Sequence, residues 1–295
     1  MPVAFRYHLA SIVAIFCALL IGILVGIALV GDPELAKQAE AFSERQAQYR
    51  SKVRELEAQR DRDSLLAKQV LPFLTKGILE GRNVDVILNH DFGRSEFPEQ
   101  VVARLKSAGA KVVSTTTVLD SFITLKKEKA RAILEEMKVP VPIQGDLRSA
   151  LAGKLATHIA WGWPKLPYRL RTEALIGVEG DYEAPSDTVL LVGGAGKGEK
   201  ASPLYIDLPM IDALQQAGVR CVAIESSNAA VSHVVRYYRR RNISTVDNAD
   251  TAVGQLALVL VLSGQEGYFG EKEGALQLLP PLENLARKPS AFPIP

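Results

Sequence analysis

The sequence holds only two cysteines in 295 residues. That scarcity excludes a disulfide-stapled secreted scaffold and any zinc or iron–sulfur centre built from several thiolates. Other soft metal ligands are equally sparse, with four histidines and three methionines. His8, His90, His158 and His233 have no second histidine or cysteine at ligand spacing, and Met137 and Met210 stand alone. A copper-type site needs such ligands in a cluster, and no local stretch offers one, so no cofactor is evident. Charge of one sign is also missing. A net charge of +2 excludes a strongly basic nucleic-acid binder and an acidic disordered chain.

What is present is unevenly distributed. Leu9 to Val30 is a run of 22 residues without a charge, with Ser11 its one hydroxyl. As a helix it reaches roughly 33 Å, enough to cross a bilayer core. A cleaved signal peptide would have a shorter apolar region and a small-residue cleavage site, so an uncleaved transmembrane helix is expected. Cys17 follows the bulky Phe16, which argues against lipid attachment there. Arg6 precedes the span and Asp32 and Glu34 follow it. The positive-inside rule then places residues 1–8 in the cytoplasm and the main domain outside the cell membrane. Gly22 and Gly26 form a G-x-x-x-G pair, read either as a helix-packing face or as ordinary glycine usage in a membrane helix.

Residues 32–63 carry 15 charged side chains, seven basic and eight acidic, and no proline or glycine interrupts Glu34 to Leu71. Good helix formers dominate. Leu35, Phe42, Tyr49, Leu56 and Val70 recur at heptad spacing, with Asp63 as the failed member, and the companion row is Ala39, Gln46, Val53, Arg60, Ala67 and Leu74. The pattern predicts a coiled-coil stalk over residues 31–76, with a seam of Leu35, Phe42, Tyr49, Val53 and Leu56. The repelling i,i+4 pairs Glu40/Glu44 and Arg50/Arg54 are easier to understand if a second helix supplies partners. A homodimer through stalk and anchor is therefore expected; the other reading is a single solvated stalk. Pro72 and Gly77 are expected to end the helix.

From residue 77 to 270 the pattern becomes that of an α/β domain. Strands are expected at 84–89, 111–119, 188–192, 220–225 and 243–246. Helices are expected at 98–108, 126–138, 208–217, 229–240 and 251–262. This alternation in two halves, 82–143 and 186–264, implies a Rossmann-like, mostly parallel sheet. Residues 144–185 read as a helical, loop-rich insertion and 271–295 as a proline-rich tail. The fold class is thus α/β: a transmembrane helix, a coiled-coil stalk, then the parallel domain. The apolar helix at 251–262 is too short to span a bilayer and should pack on the sheet.

Chemistry is thin. Gly193–Lys200 follows a strand but fits neither the phosphate-loop nor the dinucleotide fingerprint, because Glu199 stands where glycine or lysine is needed. His90, Asp91 and Asp247 fall just beyond strand ends, where open parallel sheets bind ligands. They are the cleft candidates, against the plainer reading of strand-end capping. Tyr237 to Arg241 is a basic run at a helix end, read as capping or as contact with an anionic surface; no nucleic acid is expected outside the cytoplasm. No catalytic constellation emerges, so an enzyme is not expected.

Phe5-Arg6-Tyr7-His8, Ser11-Ile12-Val13-Ala14 and Ile21 to Gly26 resemble the start of the mycobacterial copper transport protein B family. The resemblance resumes at Ser244 to Asn248, with Gly254, Gly267-Tyr268-Phe269-Gly270 and Leu278-Leu279-Pro280. It implies a role in copper efflux or homeostasis, with copper as a possible ligand. Related proteins imply an alternative: a non-catalytic, dimeric cell-envelope scaffold that binds an envelope protein partner and regulates peptidoglycan remodelling. One membrane helix cannot form a pore alone, and no run of alternating ten-residue strands suggests a transmembrane barrel.

Overall fold

A computed structural model describes residues 3–30, 33–197 and 203–283. Two compact units divide the chain, Met1–Asp63 and Ser64–Pro295. The first unit is helical. Helix α1 covers Val3–Val30, and helix α2, Pro33–Thr75, continues into the second unit. Within α1, Ser11–Ala28 has a mean hydropathy of 2.9. Among the described residues it is the one helical stretch long and apolar enough to cross a membrane, and its side chains have no protein cover.

The helix α2 runs through Pro72, contrary to the sequence expectation. Proline removes one N–H from the ladder and disturbs its last turn only. There the Thr75 hydroxyl donates to the Leu71 carbonyl at 2.8 Å, and Leu71 packs against Leu256 and Leu260. Tertiary contact holds the turn, and Gly77, at φ 75°, ends it.

The second unit is built on seven strands: β1 (Asn83–Leu88), β2 (Lys111–Val118), β3 (Ile176–Gly180), β4 (Thr188–Val192), β5 (Arg220–Ile224), β6 (Ser244–Val246) and β7 (Tyr268–Phe269). They lie in the order β3-β2-β1-β4-β5-β6-β7. Every pairing is parallel except β2 with β3. The central strands are buried on both faces, as their continuous apolar runs require. Val84, Val86, Leu190, Val192, Val222 and Ile224 face one core, under α3 (Phe97–Ser107) and the terminal helix Ala252–Leu262. Ile87, Val189, Leu191, Cys221 and Ala223 face the other. The α4 turn (Asp120–Ile123) and helices α5 (Lys127–Glu136), α6 (Leu147–Ala160), α7 (Lys165–Thr172) and α8 (Asp207–Gln216) cover that face. Asp146 caps α6 by accepting from the Arg148 amide at 2.8 Å, and the Arg148 guanidinium holds its carboxyl below the usual range.

Two expectations change. The 144–185 segment contributes β3, the antiparallel edge strand, besides its helices. The helix expected at 229–240 shrinks to α9, His233–Arg236, and a 3-10 turn at Tyr238–Arg241. Val231 pairs with Ala195 instead, and Ser232 caps α9 by accepting from the Val235 amide. The last helix, α10 (Ala252–Leu262), is buried in the protein, as its length predicts.

Candidate functional site

The strand order reverses between β1 and β4, and the carboxyl ends of the parallel strands converge there. Asn89 follows β1, Glu225 follows β5 and Asp247 follows β6, all fully buried. Asn89 donates to Asp207 at 2.8 Å and lies 3.0 Å from His233 Nδ1. The Tyr238 hydroxyl donates to the same Asp207 oxygen at 2.6 Å. Burial and the Asp207 charge push the Tyr238 phenol well above its ordinary range. Tyr238 therefore remains a donor at any physiological pH. Gly193 and Gly194 carry β4 into its turn beside this ring, and a side chain at 193 would run into Tyr238. The part of the Gly193–Lys200 segment beyond residue 197 lies outside the described residues.

Glu225 anchors a second set of bonds. Its carboxylate accepts from the His233 amide at 2.8 Å and the Val234 amide at 3.2 Å, bonds Ser232, and pairs with Lys272 at 2.9 Å. Asp247 pairs with Arg239 at 2.7 Å and accepts from the amides of Glu271 and Lys272. Gly270 lies hard against the Asp247 carboxylate and Gly254 against the Asn248 carbonyl, where no Cβ fits. The motif residues 244–248, 254 and 267–270 thus meet at one joint, fastening β7 and the following segment to β6. At this joint Asp247 is a satisfied buried anchor.

The other two cleft residues separate. The His90 ring is buried beside Asn89 Oδ1 (2.7 Å) and against Phe92, with ring centroids 4.1 Å apart. Asp91 is exposed and accepts from the Gly93 amide at 2.8 Å, a turn of the kind aspartate favours. It borders a cleft of about 640 Å³ between α3 and β2 that also takes in Phe92, Ser95 and Ser114. Asn89, Asp207, Glu225, His233, Tyr238 and Lys272 escape a reading by spacing, because six separate elements bring them together. The available signal is a polar residue directly after a parallel strand, which Asn89 and Glu225 share with Asp247.

Among the described residues, no three His, Cys, Asp or Glu side chains are placed to hold a metal ion. Burial in the core pushes the Cys221 thiol up to about 12, so the free thiol stays protonated near neutral pH. Cys17 sits on α1 in the first unit and Cys221 on β5 in the second. His233 is committed to the Asn89–Asp207 network. The arrangement fastens loops to a sheet.

No curated protein matches the chain. A family model described as "Copper transport outer membrane protein, MctB" matches residues 3–280, from the apolar helix through the sheet to the segment beyond β7. With nearly the whole chain inside that match, the protein belongs to the MctB family of copper transport outer membrane proteins.

Proposed function

We propose that this chain is a single-pass, membrane-anchored component of copper efflux or homeostasis that works as a dimeric, non-catalytic scaffold. In this reading α1 spans the cell membrane with its N-terminus in the cytoplasm. The α/β unit, outside, engages an envelope partner and does not itself ligate copper. The observation that carries it is the uncovered seam of α2. Phe42 is 70% exposed, Tyr49 74%, Val53 51% and Leu56 53%. A groove lined by Phe42, Tyr49 and Val53 runs along the helix, flanked by Arg45, Arg50 and Arg54. The Leu35 side chain lies outside the described residues. Four large apolar groups on one stripe of a charged helix favour a second helix as cover. Two chains anchored in one membrane would pair in parallel. Gly22 and Gly26 would meet nothing within 4 Å if they bore a Cβ, which leaves that face of α1 open to a neighbour.

The sheet order, with its reversal between β1 and β4, supports a Rossmann-like reading in which β3 is the antiparallel addition. The family name implies a membrane and copper. The dispersed sulfur and imidazole donors favour assembly over direct metal handling.

Site-directed cross-linking of the full chain in membranes tests the seam. In a Cys17→Ser background, Tyr49→Cys should form a disulfide-linked dimer on mild oxidation. Ser51→Cys, about 200° round the helix, should not. Equal cross-linking at both positions, or none at either, sinks the dimeric stalk. A deletion strain challenged with copper tests the copper role: unchanged tolerance would remove it and leave the scaffold reading alone.

A further inference from the structure

Between α6 and α8 lies an open groove of about 480 Å³ that the proposed scaffold role does not use. Its floor is made of small residues, Ala150 and Gly153 of α6 and Ala213 of α8. A Cβ on Gly153 would approach Ala213 Cβ and the Pro209 carbonyl at 3.1 Å, so the helices touch and the groove stays shallow. Pro140, Pro142 and Trp161 also line it.

Trp161 is held in place before any ligand arrives. Its amide donates to Thr157 at 3.0 Å, and the Trp163 amide donates to the His158 carbonyl at 2.8 Å. Gly162 between them sits at φ 67°, and a Cβ there would strike the Glu183 carbonyl at 2.7 Å. The two indoles lie 4.7 Å apart, and Trp163 meets the His158 ring edge-on at 5.2 Å. Yet Trp161 is 39% exposed and Trp163 50%. Large aromatic faces fixed at the surface bind a flat partner at little cost in ordering.

The polar groups narrow the partner. Asp212 is paired with Arg241 at 2.6 Å. Lys154 and Gln216 line the groove, and among the described residues neither side chain has a hydrogen-bond or ion-pair partner. An indole face flanked by a free carboxamide and a free ammonium matches a pyranose ring. Its C–H face stacks on the aromatic, its hydroxyls exchange hydrogen bonds with an amide, and an acidic substituent meets the ammonium. A peptide anchor would instead ask for a deeper apolar pocket without unpaired polar groups.

We propose that this groove, with Trp161 in its lining and Trp163 behind it, is a binding site for an acidic saccharide.

The chain has two tryptophans, both in this turn, so emission excited selectively at tryptophan reports on this turn. The full chain in detergent should show a saturable emission change with a hyaluronan tetrasaccharide, which alternates uronate and amino sugar. A dissociation constant of the order of 1 mM or tighter is expected. Lys154→Gln should weaken binding roughly tenfold, the effect of losing about 1.4 kcal/mol. Trp161→Ala should abolish it while leaving the circular dichroism spectrum and melting temperature unchanged. No saturable change would overturn the site, and so would a response that survives Trp161→Ala. Binding of neutral cellotetraose alone would overturn the acidic class. A saturable emission change with a peptide of residues 284–295 and none with the saccharide would overturn the proposal and assign the groove to a proline-rich peptide.

Discussion

Tyr238 and Asp85 show how single buried groups divide the work of holding the sheet. The Tyr238 hydroxyl donates to a carboxylate that is itself fully buried. Tyr238→Phe keeps the ring and strips Asp207 of that donor. A hydrogen bond to a buried charged group is worth about 1.5–3 kcal/mol. A loss of that size is expected in urea unfolding, and a change below about 0.5 kcal/mol would mean the network carries no stability. Asp85 acts the other way. It sits where the β1–β2 register slips, with Ser114 donating to one oxygen at 2.6 Å and the second oxygen unpartnered. Burial outweighs that bond and raises its pKa from 3.8 to about 6. Between those values the unfolded chain has released the proton and the folded chain retains it. Stability from this group is therefore complete below 3.8 and lost as pH rises to about 6. The penalty at neutral pH is about 3 kcal/mol. Asp85→Asn should match the wild type near pH 4 and exceed it near pH 7.5. A variant less stable than the wild type near pH 7.5 would refute the burial argument.

The two ends of α2 differ in the same way as elements. At its C-terminal turn Leu71 is buried against Leu256 and Leu260. Leu71→Ala should cost about 2–4 kcal/mol in unfolding. Phe42, 70% exposed, should cost almost nothing in the second unit's unfolding when replaced by alanine. Its effect should appear instead in the dimer, read by sedimentation of the full chain in detergent. If both substitutions lowered unfolding stability alike, the seam would belong to the fold and not to an interface. These elements were legible from local pattern: the apolar helix, the long charged helix after it and the parallel strands expected at 84–89, 188–192 and 220–225 announce themselves by period, by helix-forming residues and by β-branched runs. What was not legible depended on distant partners. β3 is five residues containing two glycines, and only its pairing with β2 makes it a strand. The helix expected at 229–240 has a helical period, but Ser232, Glu225 and the inward turn of Tyr238 break it. Pro72 looked like a stop because the packing of Leu71 cannot be seen in a linear pattern.

At the scale of the whole molecule, the copper role and the available ligands pull in different directions, and that makes the role testable without a bound metal. Of the cleft residues read from sequence, Asp247 is engaged by Arg239 and two backbone amides, His90 is buried against Phe92, and Asp91 faces solvent. Strand-end position was visible in the sequence; whether each group faced a ligand or another loop was set by α8, α9 and the segment after β7. The cysteines are the strongest copper donors by chemistry. One lies on α1, and the other is a buried thiol that burial holds protonated near neutral pH. If the chain serves copper handling by assembly, both thiols are dispensable. A Cys17→Ala, Cys221→Ala double variant should restore copper tolerance to a deletion strain as fully as the wild type does. Tyr49→Glu, which places a charge in the exposed seam, should restore it poorly at equal protein level. Loss of tolerance in the cysteine variant at wild-type abundance would move the function from the stalk to the thiols.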